Sequence, residues 1–212
     1  MRRGGAVLVT GAARRIGRAI VERLARDGFA VAVHASARSF GEAESLVSEI
    51  AAQGGRAMAI AADLADAAET GSLVARATEA IGPLSHLVNN ASIFEPDTAR
   101  DFAAQDFDRN MAVNLRAPLL LAQAFAAAMP EASAGSIVNL VDQRVLRPDP
   151  AYFSYSLSKA GLWAATKTMA QAFAPRIRVN AVGPGPVLPN ANEGQAAFDA
   201  ELAVVPLRRA VD

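Results

Sequence analysis

Short β-branched apolar runs alternate along this chain with longer amphipathic stretches. AVLV (Ala6–Val9), AVAVH (Ala30–His34), RAMAIAAD (Arg56–Asp63), HLVNN (His86–Asn90), SIVNLV (Ser136–Val141) and IRVNAV (Ile177–Val182) predict strands. Several are apolar at consecutive positions, hence on both faces, as parallel strands buried between two layers are. Helical spacing predicts helices over Ile16–Arg26, Glu42–Gln53, Ala65–Ile81, Gln105–Met129 and Tyr152–Phe173. Gly28 stops the first and Gly54-Gly55 the second. Strands alternating with helices through short connections predict a doubly wound, Rossmann-like α/β fold, its parallel sheet covered by helices on both faces. No repeat, low-complexity tract or linker divides residues 1–212, so a single domain is expected. After GPGPVLP, the stretch NEGQAAFDAELAVV predicts one more helix and PLRRAVD follows it, without a closing strand.

Composition narrows the function classes. The chain is 52% hydrophobic, with 21 basic and 21 acidic side chains, so nothing global favours nucleic acid or an anionic membrane as partner. There is no Cys, which removes disulfides and thiolate metal sites, and His34 and His86 share no short motif. No metal is expected. The N-terminal apolar run AVLVT is too short for the core of a signal peptide, and no stretch reaches the roughly 18 uninterrupted apolar residues of a membrane span. The cytoplasm is the expected location.

Two stretches carry candidate chemistry. VLVTGAARRIGRAI places Gly11 after the first strand and Gly17 in the first helical turn. Glycine lets backbone approach a phosphate closely, and a helix N-terminus offers free N–H groups and the positive end of a dipole. The spacing is not the dinucleotide fingerprint G-x-G-x-x-G, and a tight turn without a ligand fits these two glycines as well. NLVDQRVLRPDPAYFSYSLSK holds Tyr155 and Lys159, four apart on one helix face, with Asp142 thirteen residues before the Tyr. A hydride transfer to C=O or C=N needs a proton delivered to the substrate. An ammonium near a phenol is expected to lower the phenol's pKa from about 10 toward a useful range.

TGAARRIG resembles the TGxxxGxG turn of the short-chain dehydrogenase/reductases, and NNAS (Asn89–Ser92) resembles their NNAG. Asn114 in MAVNLRAP, Tyr155, Lys159 and GPG (Gly183–Gly185) follow in the family's order, so the resemblance covers Ala6 to Pro189. Three departures resemble the pteridine reductase branch: Arg15 in place of the middle Gly, Asp142 where the family has a Ser, and Phe94 in NNASIF. The resemblance implies an NADPH-dependent reductase acting on a pterin-type C=N. It implies Asp142, Tyr155, Lys159 and Asn114 as catalytic, with Asn114 helping to hold a relay water. Substrate contacts would come from Arg15, Ser92, Phe94, Asp142 and Tyr155, with Phe94 stacking on the pterin.

Cofactor contacts are implied for Gly11, Arg14, Arg15, Ile16 and Gly17 at the turn, and for Asp63 and Leu64 after the third strand. Asn90, Ala91 and Ser92 follow the fourth strand, and Tyr155, Lys159, Pro184 and Gly185 complete the set. At the second strand's end His34, Ser36, Arg38 and Ser39 stand where NAD-binding folds place an acid, which favours NADPH over NADH. A ketone reductase and a non-catalytic NADPH-binding protein are the alternatives. Family members are commonly homotetramers, and the Ala-rich faces of LLLAQAFAAAM and LWAATKTMAQAFA suit that role. The family adds a helix and a final strand. Because PLRRAVD resembles the start of that helix, those elements are expected to be omitted here rather than lost.

Overall fold

The computed structural model describes residues 4–189 and 194–210. Strands β1 (Ala6–Val9), β2 (Ala30–Ala35), β3 (Arg56–Ala61), β4 (Leu84–Asn89), β5 (Gly135–Leu140) and β6 (Ile177–Val182) form one parallel sheet in the order β3-β2-β1-β4-β5-β6. All five pairings are parallel. Each predicted strand exists; β1 and β6 have the predicted bounds, and the ends of the other four shift by at most two residues. The order reverses between β1 and β4, and at such a switch point the loops leaving the strand ends diverge and open a crevice.

Alternation along each strand sends its side chains to opposite layers. Leu8, Ala32, Leu87 and Ile137 face a core shared with α3 (Ala67–Ile81) and α5 (Ala117–Ala128), against which Met169 and Phe173 also pack. Val7, Val9, Val31 and Val33 face the other core, shared with α1 (Arg15–Arg26) and α2 (Phe40–Ala52). Asp66 caps α3 by accepting from the N–H groups of Ala68 and Glu69.

The helix expected over Gln105–Met129 is not regular. It runs as α4 (Ala104–Met111), a π-helical turn (Ala112–Arg116) and α5. Pro118 explains the break: it lacks the N–H that would bond the Asn114 carbonyl in an α-helix. The ladder slips, and the Ala117 N–H bonds the Ala112 carbonyl. By length and composition Ala104–Ala128 could cross a membrane, but Leu121, Ala122 and Phe125 lie in the core. The helix α6 (Phe153–Ala172) carries Tyr155 and Lys159, and α7 (Gly194–Val204) follows the loop after β6. Residues 190–193, part of the loop and helix expected there, lie outside the described residues. Among the described residues no strand pairs with the outer edge of β6.

Candidate active site

The strand ends open onto a trench of about 740 Å³. Every residue expected at the site lines it except Asn114, which is fully buried behind the wall. At one end lie Ser36, Arg38 and Ser39, on a single 3₁₀ turn and the residue before it. At the other lie Phe94, Asp142, Arg144 and Tyr155. Arg15 and the loop Pro184–Leu188 border the trench as well.

The turn after β1 is packed from beneath. A side chain on Gly11 would meet the Ala91 Cα at 2.7 Å, and one on Gly17 would run into the Gly11 carbonyl and the Asn90 amide. Thr10, which sequence reasoning did not single out, accepts from the N–H groups of Asn90 and Ala91 at 3.0 Å each. The Asn90 amide donates back to the carbonyls of Thr10 and Gly11 at 2.9 Å. The end of β4 is thereby bolted to the turn. No side chain caps α1 and no acid stands in its first turn, so its N-terminal N–H groups are presented to the trench. Arg14 pairs with Glu42 at 2.7 Å beside them.

Arg15 has φ +52, the left-handed conformation a Gly would adopt without cost. The resemblance puts a Gly at this place, and the backbone keeps the glycine geometry although the side chain has changed. The guanidinium reaches the carbonyls of Pro189 at 2.5 Å and Leu188 at 3.3 Å. Gln143 ties the opposite wall to α7 through Glu201 at 2.8 Å.

Tyr155 donates its phenol proton to Asp142 Oδ2 at 2.8 Å, and Asp142 Oδ1 accepts from the Arg144 N–H at 2.8 Å. Burial, then the Asp142 carboxylate, hold the phenol well above its ordinary pKa. This reverses the expectation that Lys159 lowers it. The physical reason is direction: the Lys159 ammonium donates to the Leu140 carbonyl at 2.7 Å, while the phenol faces a carboxylate. Lys159 is buried, and burial depresses its pKa to about 8 against the upward pull of Asp142.

Phe94 lies parallel to Tyr152, with centroids 4.2 Å apart, and meets Tyr155 edge-on at 4.7 Å. The Arg144 guanidinium is 5.1 Å from one stacked ring and 4.9 Å from the other, which places it beside the pair rather than beyond either face. Asp97 pins this cluster. Its carboxylate accepts from the Ser154 N–H at 3.0 Å and from the Ser154 hydroxyl, capping the start of α6. Its backbone bridges Ala151 and Phe153 at 3.1 Å each. No local sequence signal marks Asp97, because its partners are 57 residues away.

Asn114 is saturated. Its Oδ1 accepts from the Ile93 N–H at 2.8 Å and the Ser92 hydroxyl at 3.2 Å. Its Nδ2 donates to the Ile93 carbonyl at 2.9 Å, and Asn110 and Ser158 stand at 3.2 Å. The Asp63 carboxylate accepts from the Ala65 N–H at 2.9 Å, turning the chain at the end of β3.

The sequence profile for short chain dehydrogenases matches residues 5–199. The chain is a short-chain dehydrogenase/reductase. Among solved members of this family, the FolM alternative dihydrofolate reductase 1 of Brucella suis, in complex with NADP, is 47% identical with a TM-score of 0.94. The alignment covers 99% of this chain and 84% of that one. Its Brucella canis counterpart, also complexed with NADP, gives 47% and 0.93, covering 97% and 81%. Among curated relatives, a 3-oxoacyl-[acyl-carrier-protein] reductase of Synechocystis is 34% identical, over 95% of this chain and 81% of its own. As a short-chain dehydrogenase/reductase the protein is an oxidoreductase, and its sheet matches those of its solved relatives.

Proposed function

We propose that this protein is an NADP(H)-dependent reductase that delivers hydride to a pterin-type C=N. The observation that carries the reading is the hydrogen bond from Tyr155 to Asp142 inside the trench. A carboxylate can accept from the N–H groups of a nitrogen heterocycle and can carry a proton, whereas a serine does the second poorly. The Brucella relatives, named as dihydrofolate reductases and crystallised with NADP, support both substrate class and cofactor.

The residues present fit the cofactor. The uncapped N-terminus of α1 suits a pyrophosphate, and Arg38, Ser36 and Ser39 suit a 2′-phosphate in a place without an acid. When bound, NADPH supplies the hydride. The chain's own residues do the rest. Hydride reaching the C=N carbon leaves a pair of electrons on nitrogen, which needs a proton from the Tyr155–Asp142 pair. Lys159 would hold the nicotinamide ribose, and it keeps a positive charge 5.7 Å from the Tyr155 ring. Phe94, backed by Tyr152, is the plate for a flat ring, and Arg15 reaches between the substrate and the Leu188 and Pro189 carbonyls. The Asn114 side chain is spent on Ile93, so its relay role falls to its main-chain carbonyl, which Pro118 deprives of an α-helical donor. Assembly as a homotetramer through α5 and α6, a single-domain chain and a cytoplasmic location complete the proposal.

Ketone reduction is the second reading, favoured by the 3-oxoacyl-[acyl-carrier-protein] reductase relatives. NADPH oxidation measured with a dihydropterin, dihydrofolate and simple β-keto thioesters separates the two. Turnover of pterin or folate, lost in Asp142→Ser, is the expected result. Turnover of β-keto thioesters alone overturns it. No turnover, with NADPH binding intact in wild type and in Tyr155→Phe, would make this a binding protein.

A further inference from the structure

His34 is expected among the cofactor contacts, yet its hydrogen-bonding capacity is spent inside the protein. It is 2% exposed. Nδ1 lies 3.1 Å from the Gly11 nitrogen and Nε2 lies 3.1 Å from the Ala62 carbonyl oxygen. The partners fix the tautomer. A backbone N–H only donates, so Nδ1 is bare; a carbonyl only accepts, so Nε2 carries the hydrogen. The main chain adds a third tie, because the Ala12 N–H donates to the His34 carbonyl at 2.8 Å. One residue on β2 therefore fastens the turn after β1 on one side and the end of β3 on the other.

We infer that His34 is a positioning residue for the dinucleotide turn, joining Gly11 to Ala62 and setting which backbone N–H groups remain for an anion. This rests on the NADP(H) reading above. Its own bonds withdraw the N–H groups of Gly11 and Ala12, so among the turn's backbone donors a pyrophosphate is left with those that lead into and open α1. Gly11 cannot drift, since Ala91 packs against its Cα on the other side. On the β3 side the next residue after Ala62 is Asp63, which lines the far end of the trench. His34 thus sets the separation between the part of the trench that meets phosphates and the part that meets the nucleoside. No polar atom of its ring is left to touch the cofactor itself.

Two amide replacements separate the two bonds. An Asn side chain places an acceptor close to the position of Nδ1, and a Gln side chain places its donor close to that of Nε2. His34→Asn keeps the Gly11 bond and loses the Ala62 bond, and His34→Gln does the reverse. NADPH affinity, read by quenching of protein or enhancement of cofactor fluorescence, is expected within about threefold of wild type in His34→Asn. In His34→Gln it should weaken by roughly tenfold or more, the effect of stranding one buried N–H. Melting temperature should fall by similar amounts in both. Equal weakening in both variants, in step with melting temperature, overturns the inference, as does wild-type affinity in His34→Gln. Hydrogen exchange of the Gly11 amide in the cofactor-free protein gives a readout independent of the cofactor. It should be protected in wild type and His34→Asn and exposed in His34→Gln; protection in all three overturns the inference. If wild type binds no NADPH while the exchange pattern holds, the cofactor reading fails and the role of His34 stands.

Discussion

Tyr155 gives its phenol proton to Asp142 across 2.8 Å, so the residue expected to act as the acid is held in its protonated form by the residue beside it. The chain has only two tyrosines, Tyr152 and Tyr155, which makes the pair open to spectroscopy. In an ultraviolet titration of the folded protein, Tyr155 should resist ionisation until the fold is lost, because burial and Asp142 both favour the phenol. Asp142→Ser removes the carboxylate, and one tyrosine should then ionise earlier. An unchanged titration would show that Asp142 does not govern the phenol.

Lys159 loses its proton near pH 8 in the cofactor-free protein, because burial disfavours the ammonium. Reduction should therefore decline above about pH 8 in kcat/KM, in addition to any limb from the substrate. Lys159→Met should lower kcat/KM by at least roughly 100-fold. The folded value lies below the unfolded one, so the unfolded chain binds more protons between about pH 8 and 10.5, and stability rises with pH over that window. Lys159→Met should remove this rise in a denaturant titration at pH 8 and 10.

Arg15 holds a left-handed backbone that costs about 1–2 kcal/mol in a residue with a Cβ. Arg15→Gly relieves it and should raise the melting temperature by roughly 2–4 °C for a chain of this size. The same change cuts the tie to Leu188 and Pro189, so KM for the proposed pterin substrate should rise while proteolysis in that loop accelerates. A lowered melting temperature would mean that the tie outweighs the strain.

Asp97 joins the Phe94 loop to the start of α6 without lining the trench. Asp97→Ala should raise KM for the proposed pterin substrate by roughly tenfold and leave NADPH affinity unchanged, since the loss of a capping bond is of order 1–2 kcal/mol. Stopped-flow binding of each ligand separately checks this; equal loss for both would make Asp97 a general stability residue.

His34 is neutral in the fold down to about pH 4, burial being the main cause, with Arg76 adding to it and the Ala62 carbonyl and Asp63 opposing. The unfolded chain takes up this proton near pH 6.5. Stability contributed by the neutral ring is therefore present above about 6.5 and lost progressively as pH falls toward 4, on the order of 3 kcal/mol in all. Denaturant melts at pH 7 and 4.5 should show a smaller acid loss in His34→Asn than in wild type.

Much of this was legible in the sequence because the signals are local. Strand runs, Gly stops and the four-residue spacing of Tyr155 and Lys159 each depend on neighbours in the chain. Of the residues that the order of motifs singled out, all but Asn114 line the trench. What escaped depends on contacts between distant segments. Asp97 meets Ser154, Thr10 meets Asn90, and His34 meets Gly11 and Ala62, none of which leaves a mark on composition or periodicity. The direction of the Tyr155 shift escaped for the same reason, since spacing puts Lys159 on the right face but does not say where its ammonium points. The π turn was the exception. Pro118, four residues after Asn114, announces it in plain sequence.

That turn changes what a single rod of helix can touch. An α-helix advances about 100° per residue, so one extra residue in a turn rotates everything beyond it by about that angle. Before the turn, α4 leans on α6; after it, α5 faces α3. A straight helix would have to choose one neighbour along its whole length. Removing one residue from Ala112–Arg116 would put the two halves back in phase, and either α6 or α3 would lose its partner.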